Sequence, residues 1–247
     1  MTLKTESIFF PNVFGLDLSL RAPGLAVVSG NPRNHVGDGL EVDSALIRIG
    51  EDVRGPQRLS VVSHAVWDWM KSRGAKAGSL VVQEGYGFSS QMAHSTGELG
   101  GCVRRDLYEN GCNLVVIPPS TLKRWVTGKG NDDKNVVIKK AFQRWGFDVD
   151  EDNQCDAFTC AMLGLVDVSD RYHWTQVELD ILTKKVERYA GQGQASWLGG
   201  SPSGKVPTRT RKRKTGGGVD LGSSVLKQDV QGPRRRRRHD SGRSPAA

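Results

Sequence analysis

The sequence predicts an α/β domain over residues 1–190, built on a mixed five-stranded sheet flanked by helices, with a disordered basic tail over residues 191–247. Three extended apolar runs precede the first helical repeat. Strand and helix signals then alternate as far as the prolines at Pro118 and Pro119, and a series of helical patterns follows. Beyond Ala190 the chain turns to Gly, Ser and Arg and has almost nothing to bury.

The first strand is Val13 to Ser19, with Leu16 and Leu18 on one face and Gly15, Asp17 and Ser19 on the other. Gly24 to Ser29 and Ser44 to Ile49 give two more, separated by turn residues such as "NPRN" and "GDG". "RLSVVSHAVWDWMKSRG" places Leu59, Val62, Val66, Trp69 and Met70 at helical spacing and stops at Gly74, with His64 expected at the surface. "SLVVQEG" and "NLVVIPPS" are short buried strands. Between them "STGELGGCVRRDLYENG" forms a helix if another backbone packs against Gly97, Gly100 and Gly101. "STLKRWVTG", "DDKNVVIKKAFQRWG", "NQCDAFTCAMLGLV" and "TQVELDILTKKVERYA" complete the helices; the last presents Leu179, Leu182, Val186 and Tyr189.

The net charge of +8 over 247 residues is unevenly spread. Residues 1–190 hold 22 Lys and Arg against 24 Asp and Glu, net −2, whereas residues 191–247 hold 13 against 3, net +10. Sequence-independent attraction to a polyanion therefore belongs to the tail, chiefly to Arg211, Lys212, Arg213 and Lys214 and to the run Arg234, Arg235, Arg236, Arg237 and Arg238. A solubility tail and a nuclear-import signal are other readings of the same letters. No stretch approaches the roughly 20 apolar residues of a membrane span, and the first dozen residues do not read as a secretory signal, so the expected location is the cytoplasm. Cys102, Cys112, Cys155 and Cys160 lack zinc or CxxC spacing and are expected to be reduced thiols, most of them buried.

Three acids interrupt apolar runs: Asp17 in a strand, Glu84 at the end of another, and Asp156 near the start of an apolar helix that follows "DVDEDNQ". Ionised carboxylates in such settings are costly unless paired or bound to a cation. One site for hard divalent cations would satisfy all three, and a pair of cations roughly 4 Å apart promotes phosphodiester cleavage. Separate structural roles also fit: a turn cap for Asp17, a Lys or Arg partner for Glu84, and the helix dipole for Asp156.

Taken together, "GLDLSLRAPGLAVV", "LVVQEG", "PPSTLKRWVTGKGNDDKNVV" and "DNQCDAFTCAML" resemble, in order across residues 13–166, the motifs of the RuvC-type Holliday junction resolvases, a branch of the RNase H-like nuclease superfamily often met in bacteriophages. The resemblance implies an RNase H-like fold and a homodimer that cuts branched DNA, the four-way junction above all. It also implies two Mg²⁺ per active site, with Mn²⁺ possible, and products with 5′-phosphates. Asp17, Glu84 and Asp156 match the family's acids. Where the family has a further acid or a histidine this chain has Asn153, with Asp152 one residue earlier; both offsets reach the face of Asp156, so the two share the expectation of a fourth ligand. Lys123 and Lys134 match basic positions and Lys129 lies in the "TGKG" loop between them. The resemblance implies contact with the phosphates of the scissile region, for Lys134 in particular, where the charge would act catalytically by offsetting charge on the transferring phosphoryl group, and Lys129, lying between the two, is expected to join them on DNA; an exposed lysine at a helix start is the other reading.

Tyr86 and Phe88, in "EGYGFSSQ", match a place where relatives carry an aromatic that wedges between bases; such stacking is worth roughly 1–3 kcal/mol. Core packing is the other reading of these rings. A flap or general branched-DNA nuclease is the nearest alternative function, and a non-enzymatic DNA-binding protein the next. An actin-like ATPase would need a second phosphate-binding hairpin, which the sequence lacks, and "GKG" falls short of GxxxxGK[ST].

Overall fold

The computed structural model describes residues 11–86, 93–169 and 173–194, all within one compact unit. The strands are β1 (Val13–Asp17), β2 (Gly24–Gly30), β3 (Leu40–Leu46), β4 (Leu80–Glu84), β5 (Asn113–Ile117) and β6 (Glu187–Tyr189). The helices are α1 (Gly55–Ser72), α2 (Ala93–Glu109), α3 (Pro119–Thr127), α4 (Lys134–Trp145), α5 (Asp152–Ser169) and α6 (Gln176–Lys184). One mixed sheet orders the strands β3-β2-β1-β4-β5-β6. β1, β4 and β5 run parallel, while β2, β3 and β6 join antiparallel.

The central strands are buried on both faces, as near-continuous apolar runs require. Val13, Ala26, Val28, Val82, Val115 and Ile117 face α3, α4, α5 and α6. Phe14, Leu16, Leu25, Val27, Val81 and Leu114 face α1 and α2. α5 crosses the middle of the first face and is buried continuously from Ala157 to Asp167. It lies unusually close to the sheet, because a Cβ on Gly15 would come within 1.9 Å of the Ala157 carbonyl oxygen and one on Gly24 within 1.9 Å of the Asn153 carbonyl oxygen. From the helix side, a Cβ on Gly164 would meet the Val82 and Val13 side chains at 2.6 and 2.7 Å.

α1 closes at Ser72, just before Gly74 in the left-handed region, and His64 is exposed, as the sequence predicts. Pro119 opens α3, where a missing N–H costs nothing. The Asp133 side chain caps α4 by accepting from the Asn135 N–H, and Thr175 and Glu178 form a reciprocal cap on α6. All four cysteines are free thiols; three are buried and Cys102 is partly so.

Three local expectations change. β3 occupies Leu40–Leu46 rather than Ser44–Ile49, because it pairs with the whole of β2, from Gly24 opposite Leu46 to Gly30 opposite Leu40. Its acids Glu41 and Asp43 are exposed on this edge strand, where charge discourages further pairing. The last helix ends at Lys184, and residues 187–189 form a sixth strand on β5. Tyr189 is consequently exposed rather than in the core, and Leu179, within α6, is exposed as well. Arg188 fixes β6 to the domain by pairing with buried Asp167 and donating to the Leu182 carbonyl. In α2, side chains rather than backbone approach Gly97 and Gly100, and nothing lies within 4 Å of a Cβ on Gly101.

The chain stays on the domain past Ala190: the Gly191 N–H donates to the Asn113 side chain and the Gln192 N–H to the Tyr108 carbonyl. The basic clusters of the tail and Phe88 lie outside the described residues. Among the described residues, no helix is long and apolar enough to cross a membrane.

Candidate active site

Parallel pairing of β1 with β4 sets Leu16 opposite Gln83, so Asp17 and Glu84 end neighbouring strands at the same edge of the sheet. Carboxyl ends of parallel strands are where open α/β sheets bind ligands. α5 enters above this edge and brings Asp156 down onto it, one residue before the Ala157 carbonyl that lies against Gly15. Carboxylate oxygens of Asp17, Glu84 and Asp156 all lie within 4.8 Å of one another.

Burial and mutual repulsion disfavour charge on this cluster. Burial first, then the Asp156 charge, pushes Asp17 up to about 7, against the pull of a hydrogen bond from Glu84 and of the Lys134 charge. Glu84 is raised well above the usual carboxylate range by burial and by the two aspartates, and Lys123 counters them in part. Burial also raises Asp156, which Lys123 and Lys134 offset. Cys160, one turn along α5 from Asp156, is raised well above the ordinary thiol range by burial and by all three acids. Three crowded carboxylates form an all-oxygen donor set, and a hard divalent cation is the ligand that suits it and relieves its repulsion.

The acids open into a cavity of about 420 Å³ also lined by Lys123, Lys134, Asn153, Leu18, Gln83, Gly85, Tyr86, Thr96 and Pro119. Lys123 donates to the Asp132 carbonyl at 3.3 Å, which steadies the loop between α3 and α4. Lys134, at the start of α4, pairs with Asp152. Asp152 thus sits beside the cavity, engaged with the lysine and outside the three-carboxylate group. Asn153 lines the cavity while its Nδ2 donates to the Ala22 carbonyl at 2.7 Å. Lys129 is exposed in its loop, outside the cavity lining. Tyr86 reaches the cavity wall with its ring against Gly97 and the Arg104 guanidinium 5.7 Å from the ring centroid.

Two features escaped the sequence reading. Gln83, a polar residue inside the apolar run "LVVQE", is 1% exposed and lines the cavity; its position in that run was the available signal. Glu178, far from any motif, is 1% exposed and joins the elements that carry the lysines. It accepts from Arg33 at 3.1 and 3.0 Å, from Trp125 of α3 at 3.2 Å and from Arg144 of α4 at 3.4 Å.

No family model matches the chain. The chain is 29% identical over 126 residues to crossover junction endodeoxyribonuclease RuvC of Nocardia farcinica, a match covering 51% of this chain and 64% of that relative. It therefore spans a little under two thirds of the relative's length. Among solved structures it is similar to Thermus thermophilus RuvC, with a TM-score of 0.51 at 19% identity over 63% of this chain and 95% of that one. It is also similar to T. thermophilus RuvC in complex with a Holliday junction substrate, with a TM-score of 0.50 at 18% identity over 62% and 91% of the two chains. The resemblance read from the motifs is borne out in sequence likeness and in fold: a mixed sheet flanked by helices, as in RuvC.

Proposed function

We propose that the chain is a Mg²⁺-dependent endonuclease that resolves four-way DNA junctions, working as a homodimer and leaving 5′-phosphates. The observation that carries this reading is the convergence of Asp17, Glu84 and Asp156 within 4.8 Å, on a RuvC-like fold, beside two lysines. Asp17, Glu84 and Asp156 would hold the cations, with either Asn153, which lines the cavity, or Asp152, once released from Lys134, as the fourth ligand. Bound divalent cations supply Lewis acidity to the phosphodiester and lower the pKa of the attacking water. The remaining work falls to the chain. Lys134 and Lys123 bind the phosphates flanking the cut and offset charge that grows on the phosphoryl oxygens. Lys129 and the arginine clusters of the tail add affinity for the backbone without sequence preference. A two-fold dimer would set two such sites against the symmetric strands of a junction.

The test is cleavage of a four-way junction, a flap and a linear duplex by the wild-type protein and by Asp17→Asn with Mg²⁺ present. The wild type is expected to cut the junction fastest and Asp17→Asn to cut none of them. Because burial and repulsion already disfavour the Asp17 charge, the variant should also melt at a higher temperature than the wild type in the absence of metal. That result separates lost chemistry from lost folding. Cleavage by Asp17→Asn at the wild-type rate would refute the assignment.

A further inference from the structure

Glu178 lies outside the cavity lining, yet its carboxylate gathers more donors than the cap of α6 requires. Oε2 accepts from the Thr175 N–H at 2.9 Å and the Thr175 hydroxyl at 3.0 Å, which completes that cap, and from Arg33 Nη2 at 3.0 Å. Oε1 accepts from Arg33 Nη1 at 3.1 Å, Trp125 Nε1 at 3.2 Å and Arg144 Nη2 at 3.4 Å. Residues from the β2–β3 loop, α3 and α4 therefore meet on one oxygen of a buried side chain. A carboxylate suits this place and an amide does not: two guanidinium groups need a compensating charge there, and every hydrogen-bonding neighbour of the two oxygens is a donor. The same partners continue toward the acids. The Arg144 guanidinium lies 4.8 Å from the Trp125 ring centroid and 4.4 Å from that of Trp145. Trp145 in turn meets Phe158 edge to face at 5.6 Å, and Phe158 stands on α5 two residues after Asp156.

From these contacts we infer that Glu178 is a positioning residue for cleavage, fixing α3 and α4 against α5 so that Lys123 and Lys134 stand opposite the three acids. This rests on the junction-resolving reading above. Lys123 precedes Trp125 by two residues on α3, so the two side chains leave that helix on different sides, Trp125 toward Glu178 and Lys123 into the cavity. Lys134 opens α4 and Arg144 lies in its last turn, so a shift of the helix at Arg144 carries Lys134 with it. The lysines do not secure the helices themselves. The Lys134 side chain is 63% exposed and its pairing with Asp152 is a surface ion pair, which holds little. Lys123 bonds the Asp132 carbonyl of the connection between α3 and α4, and so moves with them. Without the Glu178 charge, Arg33 and Arg144 face each other uncompensated, and their repulsion pushes α4 away from the β2–β3 loop.

The experiment measures single-turnover cleavage of a four-way junction by the full chain with Mg²⁺, the protein in saturating excess so that the rate does not depend on the folded fraction of a preparation. Glu178→Gln is expected to cut about tenfold more slowly than the wild type, the size of a misplacement below 1 Å. In Lys123→Ala and in Lys134→Ala backgrounds the same substitution is expected to cost only about threefold, because one of the two groups it positions is already gone. An equal cost in all three backgrounds overturns the proposal, as does a wild-type rate in Glu178→Gln. Asp167→Asn, which removes the buried charge that holds Arg188 of β6, is the control for lost stability alone and is expected to cut at the wild-type rate; equal slowing overturns the proposal. Should Glu178→Gln not fold, Trp125→Phe deletes one donor to Oε1, keeps a ring under Arg144 and is expected to cut about threefold more slowly, a wild-type rate again overturning the proposal. Hydrogen exchange needs no substrate: either variant is expected to exchange faster across residues 119–145 and as the wild type does in β1 and β4. Unchanged protection of residues 119–145 overturns the proposal. A wild type that cuts no junction refutes the resolvase reading instead, while the exchange result still decides whether Glu178 holds the helices that carry the lysines.

Discussion

Gly15→Ala puts a single methyl group between the sheet and α5, and its consequences can be worked from the distances. The added Cβ would lie 1.9 Å from the Ala157 carbonyl oxygen, 2.6 Å from the Ala161 nitrogen and 2.9 Å from the Ala161 Cβ. The first two contacts are with backbone, so rotamer changes cannot relieve them. Reaching an ordinary contact of 3.4 Å to the carbonyl oxygen requires α5 to move away from β1 by about 1.5 Å. Overpacking of this kind costs about 1–3 kcal/mol. Asp156, adjacent to Ala157, would leave the three-carboxylate group along with the helix, and a misplacement near 1 Å can cost about 100-fold in rate. Urea denaturation and single-turnover junction cleavage read the two effects separately. Gly101→Ala is the control: nothing lies within 4 Å of its Cβ, and in a helix it should stabilise by about 0.5–1 kcal/mol without slowing cleavage. A Gly15→Ala protein as stable and as active as the wild type would refute the claim that close approach of α5 positions Asp156.

Three further outcomes are expected. Burial would raise the Glu178 carboxyl, but donors from Arg33, Thr175 and Trp125 hold it at about 2, so its folded-state pKa lies below the unfolded one. That stabilisation, about 3 kcal/mol, is complete above roughly pH 4.5 and lost as pH falls toward 2; urea melts across this window should show a steeper slope in the wild type than in Glu178→Gln. Lys134→Ala should slow junction cleavage by roughly 10- to 100-fold while changing stability by less than about 0.5 kcal/mol, because the lysine side chain is 63% exposed and its pairing with Asp152 is a surface ion pair. A chain truncated after Gln194, which keeps the bonds made by Gly191 and Gln192, should bind junctions more weakly and with a shallower dependence on salt, and retain turnover at low salt; an unchanged salt slope would remove the tail from DNA binding.

The helix and strand signals that read correctly are those set by local periodicity. α1 and α4 show their buried stripes and their terminal glycines, and β4 and β5 are short apolar runs that the sheet buries on both faces. β6 was not legible, because "VERYA" continues a helical spacing and only the free edge of β5, with Asp167 waiting for Arg188, draws it into the sheet. β3 was shifted because its acids resemble turn residues until their place on an exposed edge is known. Among the site residues, Asp17, Glu84 and Asp156 stood out as charges inside apolar runs. Glu178 stood in an ordinary amphipathic helix, and its partners come from three other parts of the chain.

The sequence by itself determined the order of the elements as far as α6, the identity of the three acids and the uneven charge of residues 1–190 and 191–247, since each follows from residue type and short-range spacing. The tertiary structure alone decided that the acids converge, that Lys134 engages Asp152, and that the buried Gln83 Oε1 has no hydrogen-bond partner among the described residues. Those outcomes depend on the gap between α5 and the sheet, and on the glycines that allow it, a distance that no local pattern along the chain encodes.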